Sequence, residues 1–290
     1  MFSIIIPTYN NIEYLKLCIK SIIQNSTFKH EIIFHVNEGS DGTVEYLKKE
    51  NFKFTYSKNN KGVCYAFNEA VKLSKNKYIV LAHDDMYFCP NWDFNFNEEI
   101  KKNTEENFFL SGTMVQPFES YINLDCGKTY KDFNEKKLLE KLPSIVYPDF
   151  QGTHWQPSLI PRQTWDRVGG FSMEFSPGLG SDPDFNMKLW NIGVRLFKGL
   201  GNVRVYHFSS VSLRKKAWNN GAKTFLLKWG ISIKFFKEYY LKSNTEYKKE
   251  LSDPIKNTDY YFNLLKCKLN YYYIKFIYKK IKKNYFKQCT

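Results

Sequence analysis

Three polar side chains that could bind a cation follow directly on an apolar run. The run is formed by residues 78–82, and the residues after it are His83, Asp84 and Asp85. Two adjacent carboxylates repel each other, so a cation bound between them would lower the electrostatic energy. The pattern therefore predicts that a cation, or a group of equal effect, is bound at the end of a buried strand.

The surrounding sequence alternates between short apolar runs and segments with helical periodicity. This alternation predicts an α/β fold, a nucleotide-binding sheet whose parallel strands are joined by crossover helices. Ligands of such sheets bind at the carboxyl ends of the strands, so we expect loops 7–10, 37–41 and 83–85 to share one edge. The predicted strands span residues 2–6, 31–36, 52–56 and 78–82, and the predicted helices span residues 12–23, 43–49 and 62–73.

The basic charge of the chain is concentrated towards its C-terminal end. The formal net charge is +14, but residues 1–214 carry 25 basic and 24 acidic side chains, whereas residues 215–290 carry 18 lysines and 5 acids. A neutral body with a cationic extension favours a polyanionic partner, either an anionic membrane or a nucleic acid. No run of about 18 apolar residues predicts a transmembrane helix.

The six cysteines are scattered along the chain and include no Cys-x-x-Cys pair. Their spacing favours neither a zinc site nor a disulfide framework, and it predicts reduced thiols. The first residues do not have the pattern of a secretory signal peptide. We therefore expect a cytoplasmic protein, with peripheral contact at the inner face of the membrane as one alternative.

Five segments, in this order along the chain, resemble the inverting glycosyltransferases of family 2, which have the GT-A fold. They are "IIIPTYN", "VNEGSDGT", "NNKGVCYAFNEA", "HDDM" and "RVGGFSMEFSPGLGSDPDF". Three positions depart from the family pattern, since Asn37 and His83 replace aspartates and Ser181 replaces a glutamate. The resemblance covers residues 1–214 and implies a metal-dependent enzyme that moves a sugar from a nucleotide-diphosphate sugar, with UDP favoured, to a hydroxyl acceptor.

The resemblance also implies which residues take part in the reaction. Asp182 would be the catalytic base that takes the proton of the acceptor hydroxyl. Asp85 and His207 would be the ligands of Mn²⁺ or Mg²⁺. The residues alone leave alternatives open, because Asp182 could cap a helix over residues 185–190, and a histidine at a strand end is often structural.

The nucleotide-binding and acceptor-binding residues follow from the same resemblance. Asn37 or Glu38 would accept a hydrogen bond from the pyrimidine ring, and Asp84 would contact the ribose or a metal-bound water. Trp155 could stack on an acceptor sugar, with simple packing as the alternative. The implied nucleotide-binding residues are Pro7, Tyr9, Asn37, Glu38, Gly62, His83 and Asp84, and the implied acceptor-binding residues are Trp155 and Ser181.

The basic extension mixes lysines with aromatic and aliphatic residues at near-helical spacing. Amphipathic helices on an anionic bilayer fit this pattern. Binding to nucleic acid and packing against the body are the alternatives, and the scarcity of arginine disfavours nucleic acid. We predict a GT-A domain over residues 1–214, with a nucleotide-binding half (1–110) and an acceptor-binding half (111–214), followed by a helical basic extension over residues 215–290.

Two functions remain open from the sequence. The first is a glycosyltransferase of cell-surface glycan or polysaccharide synthesis that acts on a glycan or lipid-linked acceptor. The second is a non-catalytic binding module of the same fold that recruits a membrane or nucleic-acid partner through its extension. The substitutions at positions 37, 83 and 181 keep the second alternative open, whereas the presence of both Asp85 and Asp182 favours the first.

Overall fold

The computed structural model has one mixed β-sheet at its centre. Its strands lie in the order β3-β2-β1-β4-β9-β6-β10-β5, with β7 beside β6 and β8 beside β10. The structure describes residues 1–103, 106–118, 120–152, 156–208 and 219–288, with side chains as far as residue 277. The strands are β1 (Ser3–Tyr9), β2 (Glu31–Asn37), β3 (Lys53–Ser57), β4 (Tyr78–Leu81), β5 (Met86–Phe88), β6 (Phe108–Gln116), β7 (Ile122–Asn123), β8 (Phe150–Gln151), β9 (Ser158–Pro161) and β10 (Leu196–His207).

Helices cover both faces of this sheet. Short 3₁₀ turns follow α5 and precede α7, and α9 continues directly into a π-helical turn, Phe236–Tyr240. The helices are α1 (Ile12–Asn25), α2 (Thr43–Lys49), α3 (Val63–Val71), α4 (Trp92–Lys102), α5 (Glu135–Lys141), α6 (Arg162–Val168), α7 (Ser181–Asn191), α8 (Gly221–Trp229), α9 (Ile233–Phe235) and α10 (Thr258–Gln288).

The first four strands form the parallel region that the sequence predicts. β1 lies between β2 and β4, with Ser3 beside Glu31 on one side and Ile79 on the other. All predicted elements of residues 2–82 are confirmed, with bounds that differ by at most three residues. Because parallel strands end at the same edge, the loops after β1, β2 and β4 meet there.

Alternate residues of the parallel strands fill two separate hydrophobic cores. Ile5 and Ile79 belong to the core on the side of α3, α6 and α7. Ile4 and Val80 belong to the core on the side of α1, α2 and α4. Successive side chains of a strand point to opposite faces, so burial of both faces explains the continuous apolar runs in the sequence.

Two antiparallel strands from later parts of the chain complete the functional edge. β9 lies between β4 and β6 and pairs antiparallel with both, which places the residues just before Ser158 near the loop after β4. β5 pairs antiparallel with β10, so that Met86 lies beside His207. This pairing brings the end of β10 next to Asp85.

The helices after residue 219 pack against the sheet on the side of α3 and α7. Phe225, Phe235, Phe236 and Tyr260 are buried in the same hydrophobic core as Ile5. The packing alternative is therefore confirmed for these residues, whereas the predicted boundary at residue 214 lies outside the described residues. Within the described ranges, no helix is both long enough and apolar enough to cross a bilayer.

Candidate functional site

A cavity of ≈ 310 Å³ lies at the carboxyl edge of the sheet. It is lined by Asp85 from the loop after β4, His207 from the end of β10, and Asp182 from the start of α7. The sequence analysis assigned these three residues to one reaction although they are far apart along the chain. The topology of the sheet brings them together in one cavity.

The two adjacent carboxylates of the loop after β4 are almost completely buried. Asp84 is 4% exposed and Asp85 is 3% exposed. Burial, and then the neighbouring charge of Asp85, raise the pKa of Asp84 to about 7. Asp84 Oδ2 has no hydrogen-bond partner among the described residues, and an unpaired buried polar atom is destabilising. A ligand that supplies a hydrogen-bond donor or a cation would relieve this cost.

Asp85 and His207 form a pair that could hold a metal ion. Nε2 of His207 lies 3.3 Å from Oδ1 of Asp85, and Nδ1 of His207 lies 2.7 Å from Nε2 of Gln116. In this orientation the amide nitrogen of Gln116 donates to Nδ1, and the neutral ring carries its hydrogen on Nε2, facing Asp85. Rotation of the amide by a half-turn would place its oxygen on Nδ1–H and leave Nε2 with a lone pair for a metal. A carboxylate and an imidazole fit Mn²⁺ or Mg²⁺ as a partial ligand set.

The described residues contain no group of three or more His, Cys, Asp or Glu side chains that could hold a metal. A metal at the Asp85–His207 pair would therefore need further ligands from a substrate or from water. An open coordination sphere of this kind is typical of metals that bind phosphate oxygens. The residues present consequently fit a metal that is shared with a phosphate-containing substrate.

Asp182 lies in the first turn of α7. The helix begins at Ser181, and Gly180 occupies the N-cap position with φ +84°, a conformation that glycine adopts without the cost of a side chain. The alternative in which Asp182 caps a helix over residues 185–190 is therefore wrong. Burial raises the pKa of Asp182 to about 6, while a hydrogen bond from Gln156 and the charge of Lys237 act in the opposite direction.

Gln156 connects Asp182 to His83. Its Nε2 donates to Oδ1 of Asp182 at 2.9 Å, and its Oε1 lies 3.0 Å from Nε2 of His83. Burial lowers the pKa of His83, so the neutral ring can donate Nε2–H to this oxygen. The sequence analysis missed Gln156, because a glutamine in a loop has no spacing that indicates its partners.

A smaller cavity of ≈ 70 Å³ adjoins the first, and His83 and Val63 line both. Glu38 does not line it, and its carboxylate accepts a hydrogen bond from Asn10 Nδ2 at 3.1 Å. Asn37 Oδ1 accepts from Ser57 Oγ at 3.0 Å and from Lys61 N at 2.9 Å. Six of the seven implied nucleotide-binding residues line the smaller cavity: Pro7, Tyr9, Asn37, Gly62, His83 and Asp84.

The resemblance implies two acceptor-binding residues, Ser181 and Trp155. Ser181 lines the larger cavity, and its Oγ donates to the carbonyl oxygen of Gly178 at 2.6 Å. Trp155 lies outside the described residues. Lys237 also lines the larger cavity, and the sequence analysis missed it because lysines are common in the extension.

Comparisons with known sequences show the family of the chain. The model of the family described as "Glycosyl transferase family 2" matches residues 3–151. Hyaluronan synthase of Pasteurella multocida is 26% identical over 223 residues, which are 74% of this chain and 21% of that protein. A putative teichuronic acid biosynthesis glycosyltransferase of Bacillus subtilis is 23% identical over 177 residues, which are 57% of this chain and 70% of that protein.

Solved structures show the same fold. The structure of S. aureus TarS residues 1–349 with UDP has a TM-score of 0.57 at 14% identity, covering 84% of this chain and 67% of that chain. The corresponding complex with UDP-GlcNAc has a TM-score of 0.56, also at 14% identity, covering 84% of this chain and 68% of that chain. The chain has the GT-A fold, and it spans about a fifth of the length of the hyaluronan synthase that it matches.

Proposed function

Since the chain belongs to glycosyl transferase family 2, we propose that it transfers a sugar from a nucleotide-diphosphate sugar to a hydroxyl acceptor with inversion at the anomeric carbon. The observation that carries the proposal is a single cavity that contains a candidate base, Asp182, and a candidate metal pair, Asp85 and His207. UDP is the favoured nucleotide because TarS, which has this fold, binds UDP and UDP-GlcNAc. The names of the relatives support a role in polysaccharide synthesis.

In this reaction Asp182 acts as the general base. The acceptor oxygen attacks the anomeric carbon as the bond to the diphosphate breaks, and the hydroxyl proton passes to a carboxylate oxygen of Asp182. A pKa of about 6 leaves this carboxylate ionised at neutral pH and still basic enough to accept the proton. The hydrogen bond from Gln156 to Oδ1 fixes the orientation of the carboxylate.

Asp85 and His207 are the proposed ligands of Mn²⁺ or Mg²⁺. When bound, such an ion would neutralise negative charge on the leaving diphosphate. The adjoining smaller cavity would hold the nucleoside, with Tyr9 and Asp84 among its walls. Oδ2 of Asp84, which has no hydrogen-bond partner among the described residues, would accept a hydrogen bond from a ribose hydroxyl.

The test of this function is calorimetric titration with UDP, GDP and dTDP, each with and without Mn²⁺. We expect one diphosphate to bind only with Mn²⁺, and Asp85→Ala to abolish that binding. Asp166→Ala, an exposed carboxylate that pairs with Arg162 outside the cavity, is the matched control and should bind normally. A folded protein that binds none of the three diphosphates would instead favour the non-catalytic module.

A surface of α10 supports the membrane association expected from the sequence. Tyr260, Cys267 and three partly buried neighbours pack against the body, whereas a second set of large apolar side chains on the same helix is more than half exposed. At 3.6 residues per turn these exposed side chains cover an arc of about 120°. They are Tyr261, Phe262, Leu265, Leu269, Tyr272, Tyr273 and Phe276, and we call them the outer face of α10.

Lysines border the outer face of α10 on both sides. Helical periodicity places Lys268 and Lys275 along one edge and Lys266 along the other. An apolar arc with cations at its edges is complementary to an anionic bilayer, because the aromatic rings enter the headgroup region while the ammonium groups contact phosphates. We propose that the enzyme binds the inner face of a membrane through this surface and there meets a lipid-linked acceptor.

Flotation with vesicles tests this surface. We expect the protein to float with vesicles that contain phosphatidylglycerol, less well with neutral vesicles, and to lose flotation when Phe262, Leu269 and Phe276 are all changed to Ser. The same three changes should leave nucleotide binding intact, because these side chains do not touch the core. If the protein does not float with vesicles but sediments as a dimer, and the triple variant sediments as a monomer, the partner of this surface would instead be a second copy of the chain.

A further inference from the structure

The larger cavity has one wall that comes from the C-terminal part of the chain. This cavity is lined by Ile233 of α9, Lys237 of the π-helical turn after it, and Leu241, which directly follows that turn, together with Asp182. Ile233 and Leu241 are apolar, so Lys237 is the basic side chain that this wall brings to the cavity. The extension therefore supplies a cation to the site in addition to covering the core.

Within the described part of the chain, Lys237 differs from Lys188 and Lys198 in having no protein partner. Lys198 pairs with Glu99 at 2.8 Å and with Asp149 at 2.9 Å. Lys188 donates to the carbonyl oxygen of Gly170 at 2.5 Å. Among the residues that the structure describes, no hydrogen-bond acceptor or carboxylate pairs with the ammonium group of Lys237.

An unpaired ammonium group that is partly withdrawn from water is destabilising. Burial lowers the pKa of Lys237, while the charge of Asp182 opposes this effect without an ion pair between the two. Perturbed ionisable groups that line a cavity are concentrated at binding and catalytic sites. An anion bound beside Lys237 would restore the missing partner.

The position of the ammonium group restricts which anion this can be. The diphosphate is assigned above to Asp85 and His207, whereas the electrostatic neighbour of Lys237 is Asp182. A group at Asp182 belongs to the reacting sugars, because the base must reach the acceptor hydroxyl while the transferred sugar is bound beside it. The anion should therefore be carried by a sugar rather than by the nucleotide.

We propose that Lys237 binds a carboxylate or phosphate group carried by one of the two sugar substrates, either the transferred sugar or the acceptor. The ammonium group donates to an oxygen of this anion, a charge-assisted contact that an uncharged sugar cannot make. This inference rests on the proposed function, since it requires a donor and an acceptor in this cavity. It adds a specificity for anionic sugars that the base and the metal pair do not provide.

The first arm of the test concerns the donor sugar. UDP-glucuronic acid and UDP-glucose are titrated calorimetrically into the protein with Mn²⁺. If the transferred sugar carries the anion, UDP-glucuronic acid binds about tenfold more tightly than UDP-glucose, because one charge-assisted contact contributes about this much to the affinity. Lys237→Met should remove the preference and Lys237→Arg should retain part of it.

The second arm concerns the acceptor. Binding of methyl β-glucuronide, glucose 6-phosphate and methyl β-glucoside to the protein saturated with UDP and Mn²⁺ is measured by ligand-observed NMR. If the acceptor carries the anion, the charged sugars bind more tightly than the glucoside, and only in the protein with Lys237 or Arg at this position. Lys234→Met, which removes an exposed charge from α9, directly before the turn that carries Lys237, is the matched control and should change neither arm.

Three results would overturn the inference. The first is equal binding of charged and uncharged sugars in both arms, and the second is a preference that persists in Lys237→Met. A drop in affinity for UDP itself in Lys237→Met, without a preference for charged sugars, would assign the ammonium group to the diphosphate and also overturn it. Failure of the unchanged protein to bind any nucleotide with Mn²⁺ would instead be a failure of the proposed function.

Discussion

At the scale of single residues, Asp182 is held by contacts that control both its position and its charge. One oxygen accepts from Gln156 at 2.9 Å, and burial raises its pKa to about 6. A carboxylate with this pKa is ionised at pH 7 and is a stronger base than an ordinary exposed aspartate. The environment is therefore matched to proton abstraction.

Replacement of Asp182 by Asn should abolish transfer but spare the nucleotide. The amide has nearly the same shape, yet it cannot take the proton, so we expect kcat to fall by about a hundredfold to ten-thousandfold. The affinity for UDP with Mn²⁺ should change little, because Asp182 does not line the smaller cavity. Release of UDP from a UDP-sugar and calorimetric titration measure the two quantities. Simultaneous loss of binding would show that Asp182 has a structural role.

Gln156→Ala should shift the acidic limb of the pH–rate profile to higher pH. The hydrogen bond from Gln156 lowers the pKa of Asp182, so its removal raises that pKa. The base must be deprotonated, hence the rate falls as pH decreases through the pKa, and this fall should begin at higher pH in the variant. Profiles of kcat/KM measured from about pH 5 to about pH 8 give this shift. Asn95→Ala, which changes a residue remote from the cavity, is the control. An unchanged limb together with a lower rate would mean that Gln156 only positions Asp182.

The residues of the site differ in how well the sequence predicts them. Asp85, Asp182 and His207 were found because they follow apolar runs or stand in motifs that resemble a family. Gln156 and Lys237 have no such signal, because their roles arise from the pairing of β9 with β4 and from the packing of the C-terminal helices. Contacts between distant segments depend on the whole fold and leave no local pattern.

At the scale of elements, the loop before α7 is fixed by close contact with the start of α3. The amide of Val63 donates to the carbonyl oxygen of Pro177 at 2.9 Å, and Ser176 Oγ donates to the carbonyl oxygen of Lys61 at 2.8 Å. Gly62 allows this approach, since a Cβ there would lie 2.5 Å from Ser176 Oγ and 2.7 Å from Pro177 Cα. The element that carries Asp182 is thus positioned by the element that borders the smaller cavity.

Gly62→Ala should therefore lower both stability and activity. Its φ of +88° is strained for alanine and its Cβ would collide with the loop, so we expect a loss of about 1–3 kcal/mol in the free energy of unfolding. Urea unfolding measures this loss. Gly169→Ala is the matched control, with φ +68° but no atom within 4 Å of the added Cβ. Equal effects on activity in the two variants would show that strain alone, and not displacement of the loop, is responsible.

The elements of the first 82 residues are the part of the fold that the sequence predicts well. Strands β1, β2 and β4 are buried on both faces, and the helices are local, so periodicity and turn residues define these elements. The start of α7 was predicted four residues late, because the helix begins at Ser181 and its N-cap is Gly180 rather than Asp182. The antiparallel insertion of β9 between β4 and β6 was not predicted, since strand pairing between distant segments has no local signal.

At the scale of the whole molecule, the parts on either side of residues 209–218 share one hydrophobic core. Phe225, Phe235 and Phe236 are at most 2% exposed and belong to the same cluster as Phe185 and Ile5. The N-terminal part in turn depends on the later helices for the wall of its cavity that contains Lys237. The described part of the extension therefore belongs to the same folded body, while the outer face of α10 stays exposed to a partner.

A chain that ends at Phe208 should consequently fail to fold stably. Each of the three buried phenylalanines contributes about 1.5–3 kcal/mol, and their combined loss is comparable with the whole stability of a typical domain, about 5–15 kcal/mol. We expect the shortened chain to unfold without a cooperative transition in urea and to bind no UDP. A chain that ends at Ile277 keeps the packed face of α10 and is the matched control, which should unfold cooperatively. If the chain ending at Phe208 unfolds cooperatively and binds UDP normally, then residues 1–208 are an independent domain and the later helices are an accessory to it.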